Sequence, residues 1–240
     1  MNALLLSAGL GTRLRPLTDH VPKCLVPVGG VPLMDIWLYM LSSQHVGKVL
    51  INTHYLPEKM AAHFANHPLR DRVMLVAEPQ LLGTAGTLLA NQDFLLEGTT
   101  LIAHADNLCL CDWQAFVEAH QNRPAEAVMT MMTFITPTPQ TCGIIKTDEK
   151  GIVREFFEKS ANPPGNLANA AVYLVEPEFM RLVAETMSEV SDISTQVLPR
   201  LLGRIYTWHN AGALVDIGTP ESLSRACDEH GDAVRRLVQK

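Results

Sequence analysis

The chain has 240 residues, with 19 Lys and Arg against 25 Asp and Glu, for a formal net charge of −6 at pH 7. With 47% apolar and 18% charged residues it is too apolar for intrinsic disorder, and its length suits one large α/β domain or two small ones. The acidic balance excludes the electrostatic footprint of a general nucleic-acid binder, since basic clusters are limited to Arg70/Arg72 and Arg235/Arg236. The most apolar runs, such as 3–8 and 47–52, are far shorter than the ~20 residues a membrane-spanning helix needs. The N-terminus has an apolar stretch without the basic region of a secretory signal. Five cysteines at irregular spacings argue against a disulfide framework and for a reducing compartment, so the expected location is cytoplasmic. Cys109 and Cys111 form half of a metal-ligand pattern whose second pair is missing, so they are read as reduced thiols.

Short apolar runs alternate with helix-length segments through the first half. Residues 3–7 read as a strand and 33–45 as a helix with Pro32 suited to its first turn. The spacing then predicts a strand over 48–53, a helix over 57–67, a strand over 73–77, a helix over 85–95 and a strand over 100–105. Asp112 is placed to cap a helix running to Gln121. This repetition implies right-handed crossovers and a parallel sheet covered on both faces. The second half is less regular. Strands are expected over 127–133 and 143–146, with a turn at 148–151 leading into a strand over 152–157. A Pro/Gly loop occupies 162–166, and a further strand 172–175. A helix begins near Pro177, another is capped by Asp192 and ends near Leu202, strands cover 204–209 and 213–216, and Thr219-Pro220 opens a last helix. There is no internal repeat. The expectation is a single unit over 1–240: a Rossmann-like, mostly parallel central sheet flanked by helices, with a smaller sheet lobe. Residues 1–125 would form one half and 126–240 the other.

The first strand runs into Ser7-Ala8-Gly9-Leu10-Gly11-Thr12-Arg13-Leu14-Arg15-Pro16. The dinucleotide fingerprint needs a third glycine where Leu14 stands and an immediate helix that Arg15-Pro16 breaks; the Walker A pattern is also absent. Two readings remain: a phosphate-cradling loop with Arg13 and the nearby Lys23 as cations, or a structural glycine turn with solvated cations. Asp106 follows an apolar strand at the carboxyl end where open α/β sheets bind ligands, and Asp216 closes another apolar run. Two such carboxylates could share one Mg²⁺; each could equally be a turn or cap residue.

The run Gly9-x-Gly11-Thr12-Arg13-Leu14-x-Pro16, followed by Pro22-Lys23, resembles the signature of sugar-1-phosphate nucleotidyltransferases. Further matches fall in order. Glu78-Pro79-Gln80-Leu81-Leu82-Gly83-Thr84-Ala85-Gly86 is similar to the base-recognition segment of that family, Glu158-Lys159 to its sugar-phosphate pair, and Asn169-Ala170-Ala171-Val172-Tyr173 to its Asn-Ala-Gly strand. Asp106 and Asp216-Ile217-Gly218-Thr219-Pro220 match its two metal aspartates. The resemblance covers residues 3 to about 223. It implies that Ala8, Gly9, Gly11, Thr12, Glu78, Gln80, Gly83 and Thr84 contact the nucleotide, and that Gly143, Glu158, Lys159 and Asn169 contact the sugar phosphate. It also implies catalytic roles for Arg13, Lys23, Asp106 and Asp216, with Mg²⁺ held by the two aspartates. The 82–86 stretch is most similar to mannose-1-phosphate guanylyltransferases and their manno-heptose relatives, which favours GTP; uridylyl or thymidylyl transfer to another sugar 1-phosphate is the alternative. The family usually supplies precursors of cell-surface glycans.

The chain departs from the family pattern at Cys24, Ser160 and Ala171, where Pro, Pro and Gly are usual, and Ala105 stands where Gly or Ser usually precedes the metal aspartate. The charged groups are retained, which argues against a non-catalytic nucleotide-sugar-binding subunit and against a dehydrogenase. Neither nucleic acid nor membrane is an expected partner, and monomer and homodimer are both compatible with the sequence. His63 and His67, four apart, read as a surface pair because no third metal ligand is evident. His104 reads either as lining the nucleotide site or as a buried core residue. Met129 to Thr133, Trp37 and Trp113 read as core, and Trp208 as a residue that could flank the sugar pocket.

Overall fold

The computed structural model describes residues 1–42 and 46–238. In chain order the strands and helices are β1 (Asn2–Leu6), β2 (Pro27–Val28), β3 (Val31–Pro32), α1 (Leu33–Ser42), β4 (Val49–Thr53), α2 (Pro57–Phe64), β5 (Val73–Ala77), α3 (Gly83–Ala90), α4 (Gln92–Leu96), β6 (Thr100–His104), β7 (Asn107–Cys109) and α5 (Trp113–Gln121). There follow β8 (Met129–Ile135), β9 (Gly143–Thr147), β10 (Val153–Glu158), β11 (Leu167–Val175), α6 (Pro177–Thr186), β12 (Ile205–His209), β13 (Leu214–Asp216) and α7 (Pro220–Val238). The last three residues of the helix expected over 33–45 lie outside the described residues.

The architecture is mixed α/β. A nine-stranded sheet runs β10–β9–β11–β6–β1–β4–β5, with β8 also on β11 and β12 on β8. The neighbours β6, β1, β4 and β5 are parallel, as the strand–helix alternation requires, with Leu4 opposite both Leu50 and Ile102. Strand β11 is antiparallel to β6, β8 and β9, so a segment from the second half of the chain lies in the middle of the sheet. The antiparallel pair β9–β10 continues the central sheet through β11.

Burial on both faces explains the continuous apolar runs. In β1, Ala3 and Leu5 face a core with α1, α5 and α7, while Leu4 and Leu6 face a second core with α3, α4 and α6. Trp37 and Trp113 pack edge to face at 5.6 Å inside the first core, and Met129, Met131 and Met132 are buried, as expected. Trp208 packs on Phe116 with ring centroids 5.3 Å apart.

The helix signals perform as read. Asp112 Oδ1 accepts from Ala115 N at 3.0 Å, and Thr219 Oγ1 accepts from Ser222 N at 3.2 Å just before Pro220. Several boundaries differ for identifiable reasons. The helix expected over 85–95 is two, broken at Asn91, whose side chain donates to Thr87 O at 2.8 Å. The helix expected to 67 ends at Phe64. Residues 193–201 form a π turn followed by a 3₁₀ turn rather than one α-helix. Strand β11 starts five residues earlier than expected and carries an irregularity between Asn169 and Tyr173. At that irregularity Ala171 has φ +54°.

Candidate active site

The glycine-rich segment after β1 is not helical; it forms 3₁₀ turns at Thr12–Leu14 and Leu17–Asp19. Gly11 has φ +63°, which favours glycine, and a Cβ there would lie a tight 3.1 Å from both Lys23 Cβ and Thr18 Cγ2. Thr18 Oγ1 donates to Gly11 O at 2.8 Å and ties the turn down. Gly9 faces open space, where the backbone is free to meet a ligand.

Register explains how two acids far apart in the chain converge. Asp106 follows β6. In the small antiparallel pair β7–β13, Asp216 is opposite Asn107, which sets it beside Asp106. Between the carboxylates lies the Lys23 ammonium, 2.6 Å from Asp106 Oδ2 and 3.4 Å from Asp216 Oδ1. Those distances put the two oxygens no more than 6.0 Å apart. The exposed Arg13 guanidinium lies 3.6 Å from Asp216 Oδ2. Burial alone would raise the Asp106 pKa; the Lys23 and His104 charges and the Lys23 hydrogen bond outweigh it and hold the carboxyl below its ordinary value.

These residues adjoin a cavity of about 210 Å³ lined by Leu6, Ser7, Ala8, Gly9, Lys23, Cys24, Asn52, Glu78, Leu81, Gly83, Thr84, Thr87, His104 and Asp106. Of the expected nucleotide contacts, Ala8, Gly9, Glu78, Gly83 and Thr84 line it, while Gly11, Thr12 and Gln80 do not; Thr12 and Gln80 are exposed. His104 lines it too.

Glu78 is buried and fully engaged on one oxygen: Oε1 accepts from Asn52 Nδ2 at 2.9 Å and from Thr87 Oγ1 at 2.6 Å. Among the described residues its Oε2 accepts only from Leu82 N, at 3.4 Å. Asn52 Oδ1 in turn accepts from Ser7 N at 2.7 Å, so one amide joins the floor of the cavity to the glycine loop. The Thr84 hydroxyl accepts from Ile193 N at 2.8 Å and faces Asp192 Oδ2 at 3.4 Å. Ala85 N donates to Ser191 O at 2.9 Å. The first turn of α3 is thus fastened to the 191–193 segment.

Gly143, Glu158 and Lys159 form a second group, apart from the cavity lining. Gly143 pairs with Glu158 across β9–β10, and a Cβ on it would come within 2.7 Å of Glu158 Oε2. Burial raises the Glu158 pKa despite Lys159, whose exposed ammonium is 3.7 Å away. Asn169 holds the β11 irregularity, its Oδ1 accepting from Ala171 N at 2.9 Å and its Nδ2 donating to Tyr173 Oη at 2.8 Å.

Sequence reasoning missed Asn52, Thr87 and Ser7 as cavity residues. Asn52 stands near the carboxyl end of an apolar parallel strand, one residue before the end of β4, and the same carboxyl-end rule would have found it. It also misread His63 and His67, which are not a free surface pair. Across the α1–α2 contact, Asp35 Oδ1 lies 2.6 Å from His63 Nε2 and 3.6 Å from His67 Nε2. His67 Nδ1 accepts from Leu69 N at 3.1 Å, so its neutral ring carries the proton on Nε2, the nitrogen turned towards Asp35. The cluster fastens α2 to α1.

A family model for nucleotidyl transferases matches residues 2–232. The chain belongs to the nucleotidyl transferase family. Among relatives of this family, a mannose-1-phosphate guanylyltransferase from Mycobacterium tuberculosis is 30% identical over 243 residues, covering 99% of this chain and 66% of that protein. The chain spans 62–66% of the length of the first curated relatives it matches. Two solved structures share the nucleotidyl transferase fold. A Bacillus anthracis protein named for glucose-1-phosphate thymidylyl transfer, in complex with a sucrose, has a TM-score of 0.85 at 22% identity, covering 97% of this chain and 96% of that one. HddC from Yersinia pseudotuberculosis complexed with GMP-PN has a TM-score of 0.77 at 20% identity, covering 95% and 98%. Among the described residues no helix is long and apolar enough to cross a membrane.

Proposed function

We propose that this chain transfers a nucleotidyl group from an NTP to a sugar 1-phosphate, releasing pyrophosphate, with GTP and mannose or manno-heptose 1-phosphate as the preferred pair. The observation that carries the reading is the convergence of Asp106, Asp216, Lys23 and Arg13 at a cavity walled by the glycine loop and the 78–84 segment. In this reaction a sugar-phosphate oxygen forms a bond to the α-phosphorus while the bond from that phosphorus to the bridging oxygen breaks, and the electron pair leaves with pyrophosphate. The nucleophile is a phosphate monoester with a second pKa near 6, already ionised at neutral pH, so no protein base is required. Catalysis then reduces to in-line positioning and neutralisation of charge.

Each group has a role in that scheme. The Gly9–Thr12 backbone cradles the triphosphate, Arg13 neutralises the β- and γ-phosphates and the departing pyrophosphate, and Lys23 braces the α-phosphate. The carboxylate pair is a hard-oxygen donor set that suits Mg²⁺, and Asp106 and Asp216 would hold it there. When bound, the ion supplies neutralisation of phosphoryl charge between the two substrates. Residues 1–125 handle the nucleotide and 126–240 the sugar phosphate, through Gly143, Glu158, Lys159 and Asn169. Glu78 supports guanine because it lines the cavity and its Oε2, with a 3.4 Å contact to Leu82 N, can accept from an N1–H/N2–H₂ edge. The M. tuberculosis relative and the GMP-PN complex of HddC point the same way.

The test is pyrophosphate release in a matrix of GTP, UTP, dTTP, CTP and ATP against mannose, manno-heptose, glucose and N-acetylated sugar 1-phosphates with Mg²⁺. The expected maximum is GTP with a manno-configured sugar. Release with dTTP or UTP above GTP overturns the base assignment, and no release with any pair overturns the enzyme.

A further inference from the structure

The Lys23 side chain takes a position that the reaction assigns to something else. Its ammonium sits between Asp106 Oδ2 and Asp216 Oδ1, at 2.6 and 3.4 Å, and Lys23 as a whole is only 8% exposed. A divalent ion of the Mg²⁺ class bonds carboxylate oxygens at about 2.0–2.1 Å, closer than the ammonium lies to either, so an ion held by these carboxylates would compete with the nitrogen for the same oxygens. Two carboxylates facing Lys23 and Arg13 are, moreover, already balanced in charge. Adding a dication there without any anion sets it against a buried ammonium within a few ångströms. A triphosphate changes this balance, because its oxygens give the ammonium a new partner as it leaves the carboxylates.

We propose that Lys23 is an internal counter-cation that keeps the metal position closed in the free protein and yields it only when the triphosphate arrives, so that metal and nucleotide load together. Lys23 thereby serves twice: it keeps Asp106 and Asp216 paired and oriented before substrate binds, and it turns to the α-phosphate afterwards. By linkage, whatever the nucleotide adds to metal affinity the metal adds to nucleotide affinity, and Lys23 sets the size of that coupling. The inference rests on reading Asp106 and Asp216 as the metal ligands.

The experiment is titration of the purified full chain with Mn²⁺ alone, followed by the electron paramagnetic resonance of free Mn²⁺, for wild type, Lys23→Met, Lys23→Arg and Lys23→Met/Asp106→Asn. With no nucleotide present, wild type and Lys23→Arg are expected to bind weakly. Removing the charge in Lys23→Met should tighten binding by at least about tenfold, and Asp106→Asn should abolish the gain. A Lys23→Met chain that binds no more tightly than wild type overturns the proposal. Should Lys23→Met not fold, wild type and Asp106→Asn alone still decide: Mn²⁺ binding that Asp106→Asn removes and that is as tight without nucleotide as with it overturns the proposal, and binding at least about tenfold weaker without nucleotide supports it. Neither base nor sugar enters the titration, so an error in substrate assignment leaves this result standing, and a failure here leaves the turnover matrix intact.

Discussion

Replacing Ala171 by glycine removes a single methyl group from a left-handed backbone position, φ +54°, at the irregularity that breaks β11 between Asn169 and Tyr173. A non-glycine residue held there costs about 1–2 kcal/mol through the clash of its Cβ with the carbonyl oxygen. Glycine also gains freedom in the unfolded chain, which takes back roughly 0.4–1 kcal/mol. The expected net effect of Ala171→Gly is therefore a stabilisation of about 0.5–1 kcal/mol, and a chain of this size should melt roughly 1–4 °C higher. Ala171→Val should move the other way by more, since a β-branched residue tolerates positive φ worst. Thermal unfolding by circular dichroism at fixed pH reads both. The conformation is held by the Asn169 side chain, through its bonds to Ala171 N and Tyr173 Oη, so Asn169→Ala should abolish most of the benefit of glycine. Lower stability in Ala171→Gly, or a valine variant as stable as wild type, would refute the argument, because both outcomes require that the residue is not strained.

Three further outcomes are expected. Arg13→Ala should lower turnover by about 10²–10³-fold, or about 3–4 kcal/mol of transition-state stabilisation, with an unchanged melting temperature because the side chain is exposed; normal turnover removes the arginine from the mechanism. Gly83→Ala should destabilise by roughly 2–4 kcal/mol, since φ is +76° and the new Cβ would meet Ser191 O at 2.3 Å; an unchanged melting curve would show that the first turn of α3 is not fastened there. Burial, reinforced by the Arg123 charge and opposed by Glu176, lowers the pKa of His120 from 6.5 to about 4. Below pH 6.5 the unfolded chain takes up a proton that the folded one refuses, so stability is lost as pH falls from 6.5 towards 4, by a total on the order of 3 kcal/mol. Chemical denaturation across that range should show a shallower pH slope in His120→Asn than in wild type, and equal slopes would contradict the shift.

The parallel half of the fold was legible because its strands are buried on both faces and read as apolar runs with capped helices between them, as at Asp112 and Thr219. The acidic pair was legible in a different way. Asp106 stands at a strand's carboxyl end, but its meeting with Asp216 depends on the β7–β13 register, which neither run discloses locally. The start of β11 was not legible, because Leu167-Ala168-Asn169-Ala170-Ala171 carries little β-propensity and owes its extension to β8 and β9 on either side. Thr84 and Asp35 show the limit from the other side. Their partners, Ile193 N and the His63–His67 pair, lie on other elements, so spacing along the chain holds no trace of them.

The central position of β11 has a consequence for biogenesis. The β6 edge can pair with nothing native until residues 172–175 have been made, and during synthesis an incomplete sheet must present that edge together with its buried-type side chains to the surroundings. Cutting the chain in the 162–166 loop would therefore give two fragments that are each sticky and unfinished, able to complete one another only by inserting a strand between neighbours already in place.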